Sequence, residues 1–275
     1  MAEVQHLIKN KTRMDILYIV GKNCSKCDNF ELRISLRSIA KYGKNIGKVY
    51  VAGHCPEWLS EEIVKIPFEQ PYLTEEITHH KKACNIASTL LHVIDNSDIS
   101  NEFLVSMDDH IYTRGIDFNT YPTYAKVSSY GEGKDKTLLP STAGEKAASY
   151  EKFLVDTSEI LVSLGLPTRN YALHRNTHMS RVFLNENREI IESMISEGRI
   201  AEIFAWCGNW INGEHTATKD VLVHGGGEWW KTDSRETSVF AVTDFANHSG
   251  LHVLLGGLFP DKCKYELKEE EIANE

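Results

Sequence analysis

The sequence predicts an α/β fold with a mostly parallel central sheet flanked by helices, and with a mixed C-terminal part. Short apolar runs rich in β-branched residues recur along the first 107 residues, and each ends at a glycine or an acidic residue, as buried strands often do. Amphipathic stretches with helical spacing lie between these runs. The resulting order is β-α-β-β-α-β within about 110 residues, which is typical of parallel sheets with crossover helices.

Each predicted element follows from a local pattern. Residues 14–20 are almost entirely apolar and end at Gly21, which predicts a buried strand. Residues 30–42 place apolar side chains on one helix face and end at Gly43, a common helix stop. The same patterns predict strands at residues 48–52, 63–68 and 101–107, helices at residues 75–94, 144–164 and 185–197, and an irregular segment at residues 169–179.

Composition and charge narrow the class of protein. The 275 residues are 41% hydrophobic and 25% charged, which suits one globular domain over residues 1–275. A net charge of −9 disfavours a nucleic-acid binder, because such proteins neutralise phosphates with a basic face. The N-terminus has no apolar signal-peptide core, and no run approaches the roughly 20 apolar residues of a membrane span. We therefore expect a cytoplasmic protein with reduced thiols.

Two acids directly follow the apolar run at residues 101–107. Asp108 and Asp109 would lie at the carboxyl end of a buried strand, where ligands bind in parallel sheets. Mg²⁺ and Mn²⁺ prefer oxygen ligands and are usually held by one or two carboxylates together with substrate phosphates. The alternative is a turn in which the acids only cap local structure. The pattern alone leaves these two interpretations open.

Two segments together resemble a known family. Residues 31–42 read ELRISLRSIAKY, and they are followed by a strand at residues 47–51 and by PEWL at residues 56–59. Residues 85–109 add a helix and an apolar strand that ends in the Asp pair. These motifs, in this order, resemble the Stealth family of capsule-polysaccharide sugar-phosphate transferases. The last motif of the chain, LFPDKCKYE at residues 258–266, resembles the ending of compact bacterial and phage glycosyltransferases.

The resemblance implies a GT-A-like (Rossmann-like) fold that uses a nucleotide-diphosphate sugar as donor with Mn²⁺ or Mg²⁺. Residues 1–120 would bind the donor, and residues 121–275, with their acidic tail, would face the acceptor. Asp109 would be a catalytic metal ligand on the diphosphate. Asp108 would contact hydroxyl groups of the donor's ribose or sugar.

The same comparison points to donor-binding residues on two helices. Arg33 and Arg37 lie four residues apart on one helix face, and their guanidinium groups suit phosphate oxygens. The alternative is a basic stripe that pairs with Glu31 or another acid. Lys82 and Asn85, in the helix before the Asp pair, would contact the base, the ribose or the sugar; here the alternative is ordinary helix surface.

Two histidines compete for one role in the second half of the chain. His178 would complete the metal shell or take the proton from the acceptor hydroxyl, which suits an imidazole near neutral pH. His224 precedes three glycines and resembles a late metal-ligand loop of some GT-A families, so we prefer it as the metal ligand. For each, a structural histidine is the alternative. Cys24 and Cys27 form a C-x-x-C that we interpret as incidental loop cysteines, with metal binding as the alternative.

These observations predict a metal-dependent glycosyltransferase that moves a sugar from a nucleotide-diphosphate sugar to an acceptor hydroxyl. The acceptor would be a glycan, a lipid-linked sugar, a protein or a modified DNA base. One alternative is a Stealth-type enzyme that transfers a sugar-1-phosphate, so that the acceptor attacks phosphorus. Another is a non-catalytic protein that binds carbohydrate or nucleotide.

Overall fold

A five-stranded sheet forms the centre of the molecule. The computed structural model describes residues 13–22, 29–72, 78–126, 145–171, 173–218, 222–223, 239–242 and 251–267. The sheet contains β1 (Met14–Val20), β3 (Ile46–Gly53), β4 (Ile63–Pro67), β5 (Glu102–Ser106) and β9 (Thr177–Ser180). Its order is β4-β3-β1-β5-β9. The first four strands are parallel, and β9 runs antiparallel to β5.

Helices cover both faces of this sheet. Helix α1 is Phe30–Tyr42 and α2 is His79–Asn96; the later helices are α3 (Glu145–Ser163), α4 (Arg181–Glu186), α5 (Arg188–Ser196), α6 (Ile203–Ile211) and α7 (Leu251–Leu258). All seven residues of β1 are buried. Ile16 and Tyr18 pack with the apolar face of α1, whereas Leu17 and Ile19 pack with that of α2. A strand buried on both faces is a nearly continuous apolar run, which is the pattern that β1 shows apart from the buried Asp15.

Short pairings complete the described structure. They involve β2 (Gly43–Lys44), β6 (His110–Tyr112), β7 (Ile116–Asp117), β8 (Tyr124–Lys126), β10 (Thr216–Thr218), β11 (Leu222–Val223) and β12 (Val239–Val242). Strand β6 pairs antiparallel with β12, and β8 pairs parallel with β10. Two strands that follow residue 120 therefore pair with strands that precede it, namely β9 with β5 and β12 with β6. The division into a donor half and an acceptor half stays a prediction.

The predicted fold class is confirmed: the structure is mixed α/β, with a mostly parallel central sheet between helices. Two local predictions were wrong. The segment at residues 169–179 is not wholly irregular, because β9 begins at Thr177. The helix expected at residues 185–197 is split at Asn187 into α4 and α5. Among the helices that the structure describes, none is long and apolar enough to cross a bilayer.

Close packing at Gly208 of α6 gives a prediction about stability. A Cβ on Gly208 would lie 2.7 Å from ring carbons of Tyr171, which is only 1% exposed. Overpacking of a buried site costs ~1–3 kcal/mol, whereas Gly→Ala in a helix gains at most about 1 kcal/mol. Gly208→Ala should therefore lower the free energy of unfolding in urea. Gly213→Ala is the matched control, since its Cβ would meet nothing closer than 3.6 Å and should change that free energy by less than about 0.5 kcal/mol. Equal stability of the two variants would contradict the packing argument.

Candidate active site at the end of the central sheet

The Asp pair occupies a tight turn between β5 and β6. The backbone N–H of His110 donates to the carbonyl of Met107 at 3.2 Å, which closes the turn. Asp108 and Asp109 are its two central residues, and both are partly exposed. Short polar side chains favour such positions because they tolerate the backbone geometry. The turn presents both carboxylates at the carboxyl end of β5, where the sequence predicted them.

The buried side chain of His110 hydrogen-bonds to the backbone of this turn. Its side chain is 2% exposed, and its Nδ1 accepts from the backbone N–H of Met107 at 3.3 Å. An acceptor nitrogen carries no proton, so the proton of the neutral ring is on Nε2. Nε2 faces Oδ1 of Asp109 at 3.9 Å. The imidazole thus places an N–H group beside one carboxylate. Sequence reasoning missed His110, although its position directly after the Asp pair was a signal.

Two buried serines of α1 fix the strand that leaves the turn. Ser35 donates from Oγ to the carbonyl of His110 and also bonds the hydroxyl of Tyr18 at 2.9 Å. Ser38 Oγ accepts from the backbone N–H of Tyr112 at 3.0 Å. Both serines are completely buried. In the ELRISLRSIAKY helix, therefore, the serines hold the candidate site, and sequence reasoning missed them.

Strand β9 lies next to β5, on the side of β5 opposite to β1. Thr177 pairs with Val105, so the residues just before β9 continue past the end of β5. Asn176 accepts from the hydroxyl of Tyr112 at 2.6 Å. His178 pairs with Leu104, and its Nε2 bonds the carbonyl of Tyr121 at 2.8 Å. His178 therefore lies on the strand next to β5, level with Leu104, four residues before Asp108. Its catalytic role stays a prediction.

An open cavity lies along the same edge of the sheet. Its volume is 430 Å³, and it is lined by residues at or just after the ends of β1, β3 and β4: Lys22, Gly53, His54, Cys55, Pro67, Phe68, Glu69 and Gln70. Gly53 has φ +92°, and a Cβ there would meet the carbonyl oxygen of Val20 at 2.3 Å, so only glycine fits. Neighbouring strands lie roughly 4.8 Å apart, which puts the cavity roughly 5–15 Å from the turn after β5. Ligands of parallel sheets bind at this edge.

Arg33 and Arg37 face the C-terminal segment rather than the turn. Arg37 donates to both carboxylate oxygens of Glu266, at 2.7 and 2.8 Å, and Arg33 donates to the same carboxylate at 3.4 Å. The guanidinium of Arg33 also lies 4.0 Å from the ring centre of Trp58. These contacts match the alternative of pairing with an acid. A role in donor binding is not supported by them and stays a prediction.

Asn85 and Lys82 have different environments on α2. Asn85 is buried and clamps Tyr72: its Oδ1 accepts from the backbone N–H at 3.0 Å, and its Nδ2 donates to the carbonyl at 2.9 Å. Lys82 is exposed in the first turn of the helix. Their predicted contacts with the donor stay untested.

The comparisons with known proteins give a similarity at the level of structure. No protein-family model matches the chain, and no curated protein matches it. One similar solved structure is the apo form of the glycosyltransferase GlyE from Streptococcus pneumoniae TIGR4. The match covers 55% of this chain and 39% of that chain, with 11% identity and a TM-score of 0.27. A TM-score this low establishes no shared function, and the Stealth resemblance finds no support in these comparisons.

Some predicted residues lie outside the described part of the chain. His224, the preferred third metal ligand, is one of them, and Cys24 and Cys27 are the others. Among the residues that the structure describes, no group of three His, Cys, Asp or Glu side chains is placed so that it could hold a metal ion together. A carboxylate pair does not need a third protein ligand, because Mg²⁺ and Mn²⁺ complete their coordination with water and substrate phosphates.

Proposed function

We propose that this protein is a metal-dependent glycosyltransferase that moves a sugar from a nucleotide-diphosphate sugar to an acceptor hydroxyl. The observation that carries the proposal is the position of Asp108 and Asp109. They form the partly exposed centre of a turn at the carboxyl end of β5, on the same sheet edge as the 430 Å³ cavity. A nucleoside in the cavity would direct its diphosphate along the sheet edge toward the two carboxylates.

The donor set fits a divalent cation. Two adjacent ionised carboxylates repel each other, and a bound cation relieves that repulsion. When bound, Mn²⁺ or Mg²⁺ would neutralise the charge that develops on the leaving diphosphate. Asp109 is the proposed metal ligand, with Nε2 of His110 3.9 Å from its Oδ1, and Asp108 is the proposed contact of the ribose or sugar hydroxyls. His224 is the proposed further ligand.

His178 is the proposed proton acceptor. A carbonyl oxygen can only accept, so Nε2 of His178 carries the proton that it shares with Tyr121. In the neutral ring the other nitrogen, Nδ1, is then the basic one. Hydrogen bonding to a backbone carbonyl fixes the ring tautomer and orientation, as required of a general base. The base would remove the hydroxyl proton as the acceptor attacks the anomeric carbon.

A thermal-shift screen tests the proposal. Nucleotide-diphosphate sugars with Mn²⁺ should raise the melting temperature of the wild type more than either component does alone, because ligands that bind only the folded state stabilise it. The matched variant is Asp109→Asn. In this variant Mn²⁺ should no longer add to the rise in melting temperature, whereas the smaller rise caused by the nucleotide-sugar alone should remain. A wild-type protein that responds to no nucleotide-sugar in the presence of Mn²⁺ would refute the proposal.

Product analysis then decides which bond is broken. With the donor from the screen, a glycoside product and a released nucleoside diphosphate are expected. A phosphodiester product with released nucleoside monophosphate would instead show the Stealth-type transfer of a sugar-1-phosphate. Metal-dependent binding without any turnover would show a carbohydrate- or nucleotide-binding protein.

A further inference from the structure

Arg175 is a buried cation that lies just before β9, close to the turn that contains the Asp pair. It is 6% exposed and lies two residues before Thr177, whose partner in β5 is Val105. Continued by two residues, the antiparallel register brings Arg175 level with Met107, the first residue of the Asp turn. Its neighbour Asn176 contacts Tyr112, in the strand that leaves the turn, which independently places the segment beside the turn.

In the described part of the chain the guanidinium of Arg175 has no acidic partner and no hydrogen bond. Its Nε is buried without an acceptor, and its described contact is the face of Tyr124, whose ring centre is 4.9 Å away. Other arginines near the sheet differ: Arg37 binds Glu266, and Arg181 donates to the carbonyls of Ile94 and Ile99. Because a guanidinium stays protonated in proteins, Arg175 keeps a positive charge that the described residues leave uncompensated.

We propose that Arg175 is an anion subsite that binds a phosphate oxygen of the donor's diphosphate. The inference rests on the proposed function for the identity of the anion. The planar guanidinium fork matches two phosphate oxygens, and the face of Tyr124 holds its plane in place. In this arrangement the diphosphate lies between two positive groups, with a cation at Asp109 on one side and Arg175 on the other. Arg175 therefore contributes to binding of the donor and takes no part in breaking or forming a covalent bond.

Binding of inorganic pyrophosphate in metal-free buffer tests the subsite. Titration calorimetry should show that Arg175→Met weakens pyrophosphate binding by at least about tenfold relative to the wild type, the loss expected for one charge-assisted bidentate contact. Arg188→Met is the matched control. Arg188 is a partly exposed arginine paired with Asp95, and its loss should leave pyrophosphate affinity unchanged. Inorganic phosphate is the second probe: weaker binding than pyrophosphate supports a diphosphate site, and equal binding overturns it.

Melting temperatures separate a binding role from a structural one. Without any anion, Arg175→Met should melt at or above the wild-type temperature, because it removes an uncompensated buried charge. A folded Arg175→Met that keeps unchanged pyrophosphate affinity would overturn the proposal. If Arg175→Met does not fold, Arg175→Lys decides: weakened affinity in this folded variant supports the subsite, and full affinity overturns it.

The same titration distinguishes this inference from the proposed function. Without metal, pyrophosphate binding depends on Arg175 and is not weakened by Asp109→Asn, because that variant only removes a negative charge that repels the anion. If Mn²⁺ has no effect on the wild type and yet Arg175→Met loses pyrophosphate, the glycosyltransferase proposal fails and the anion subsite stands. If Mn²⁺ and nucleotide-sugar act as proposed and Arg175→Met keeps full pyrophosphate affinity, the subsite alone fails.

Discussion

Asp109→Asn is expected to lower kcat/KM for sugar transfer by about 10²–10³-fold, the usual loss when one group that stabilises transition-state charge is removed. Asparagine has the shape of aspartate, and it is equally suited to a central turn position, so the Met107–His110 turn should persist. What changes is the charge that would hold the cation on the diphosphate. Turnover should therefore fall while the melting temperature of the metal-free protein stays close to that of the wild type.

The control for this experiment is a carboxylate distant from the turn. Asp95 is an exposed residue near the end of α2 that pairs with Arg188, and Asp95→Asn should keep wild-type turnover. Chelation of the wild type should reproduce the loss seen in Asp109→Asn, and added Mn²⁺ should restore activity only in the wild type. Turnover of Asp109→Asn near the wild-type rate, with or without chelator, would rule out Asp109 as the metal ligand.

The first half of the fold was predictable because its signals are local. Helix α1 was predicted with its observed bounds, since its apolar spacing lies within thirteen consecutive residues and Gly43 follows them directly. Strands β1, β3, β4 and β5 were each an apolar run that ends at a turn residue. Buried parallel strands give such a run because both of their faces are covered, so even the Asp turn after β5 was located correctly.

Other elements depend on contacts that no local pattern contains. Strand β9 is four residues long and exists through its antiparallel pairing with β5, more than 70 positions earlier. The break between α4 and α5 comes from Asn187, whose side chain donates to the carbonyl of Phe183 and so competes with helix continuation. Short strands and local side-chain competition of this kind are weak signals in a single sequence.

In the candidate site, too, residues with a local sequence signal were predicted, and residues that depend on distant contacts were missed. The carboxylates were identified because they follow a recognisable strand. The serines of α1 were missed because serine inside a helix usually points to solvent, whereas Ser35 and Ser38 lie on the buried face. The predicted role of Arg33 and Arg37 ignored Glu266, an acid 229 positions after Arg37. That acid was already visible at the end of the LFPDKCKYE motif, but nothing in the sequence joined it to α1.

Glu266→Gln is expected to lower the free energy of unfolding by about 3–5 kcal/mol, the usual cost of removing one partner of a buried ion pair. The Glu266 side chain is 1% exposed, and the Arg37 side chain that grips both of its oxygens is 15% exposed. Glutamine keeps the shape but loses the charge, and its amide N–H groups point donors at a guanidinium that can only donate. Arg37 would then remain largely buried without its anion.

The pH dependence of stability follows from the same contact. Burial raises the pKa of Glu266, but the hydrogen bonds from Arg37 and from the backbone of Cys263 outweigh it, so the net pKa lies below its ordinary value. A carboxyl with a lowered pKa in the folded state stabilises the protein at neutral pH. That contribution is lost as the pH falls below the ordinary glutamate pKa of about 4.3. The wild type should lose this increment in acid, and Glu266→Gln should not.

Donor binding by Glu266→Gln separates the two roles considered for the arginines. If Arg33 and Arg37 only fasten α1 to the C-terminal segment, the variant should bind nucleotide-sugar with wild-type affinity at any temperature at which it is folded. Asp95→Asn, which opens an exposed pair, should cost less than about 1 kcal/mol and serves as the stability control. Donor affinity that rises in folded Glu266→Gln would mean that the freed guanidinium groups can reach the diphosphate. The predicted phosphate clamp would then be real, and Glu266 would be its competitor.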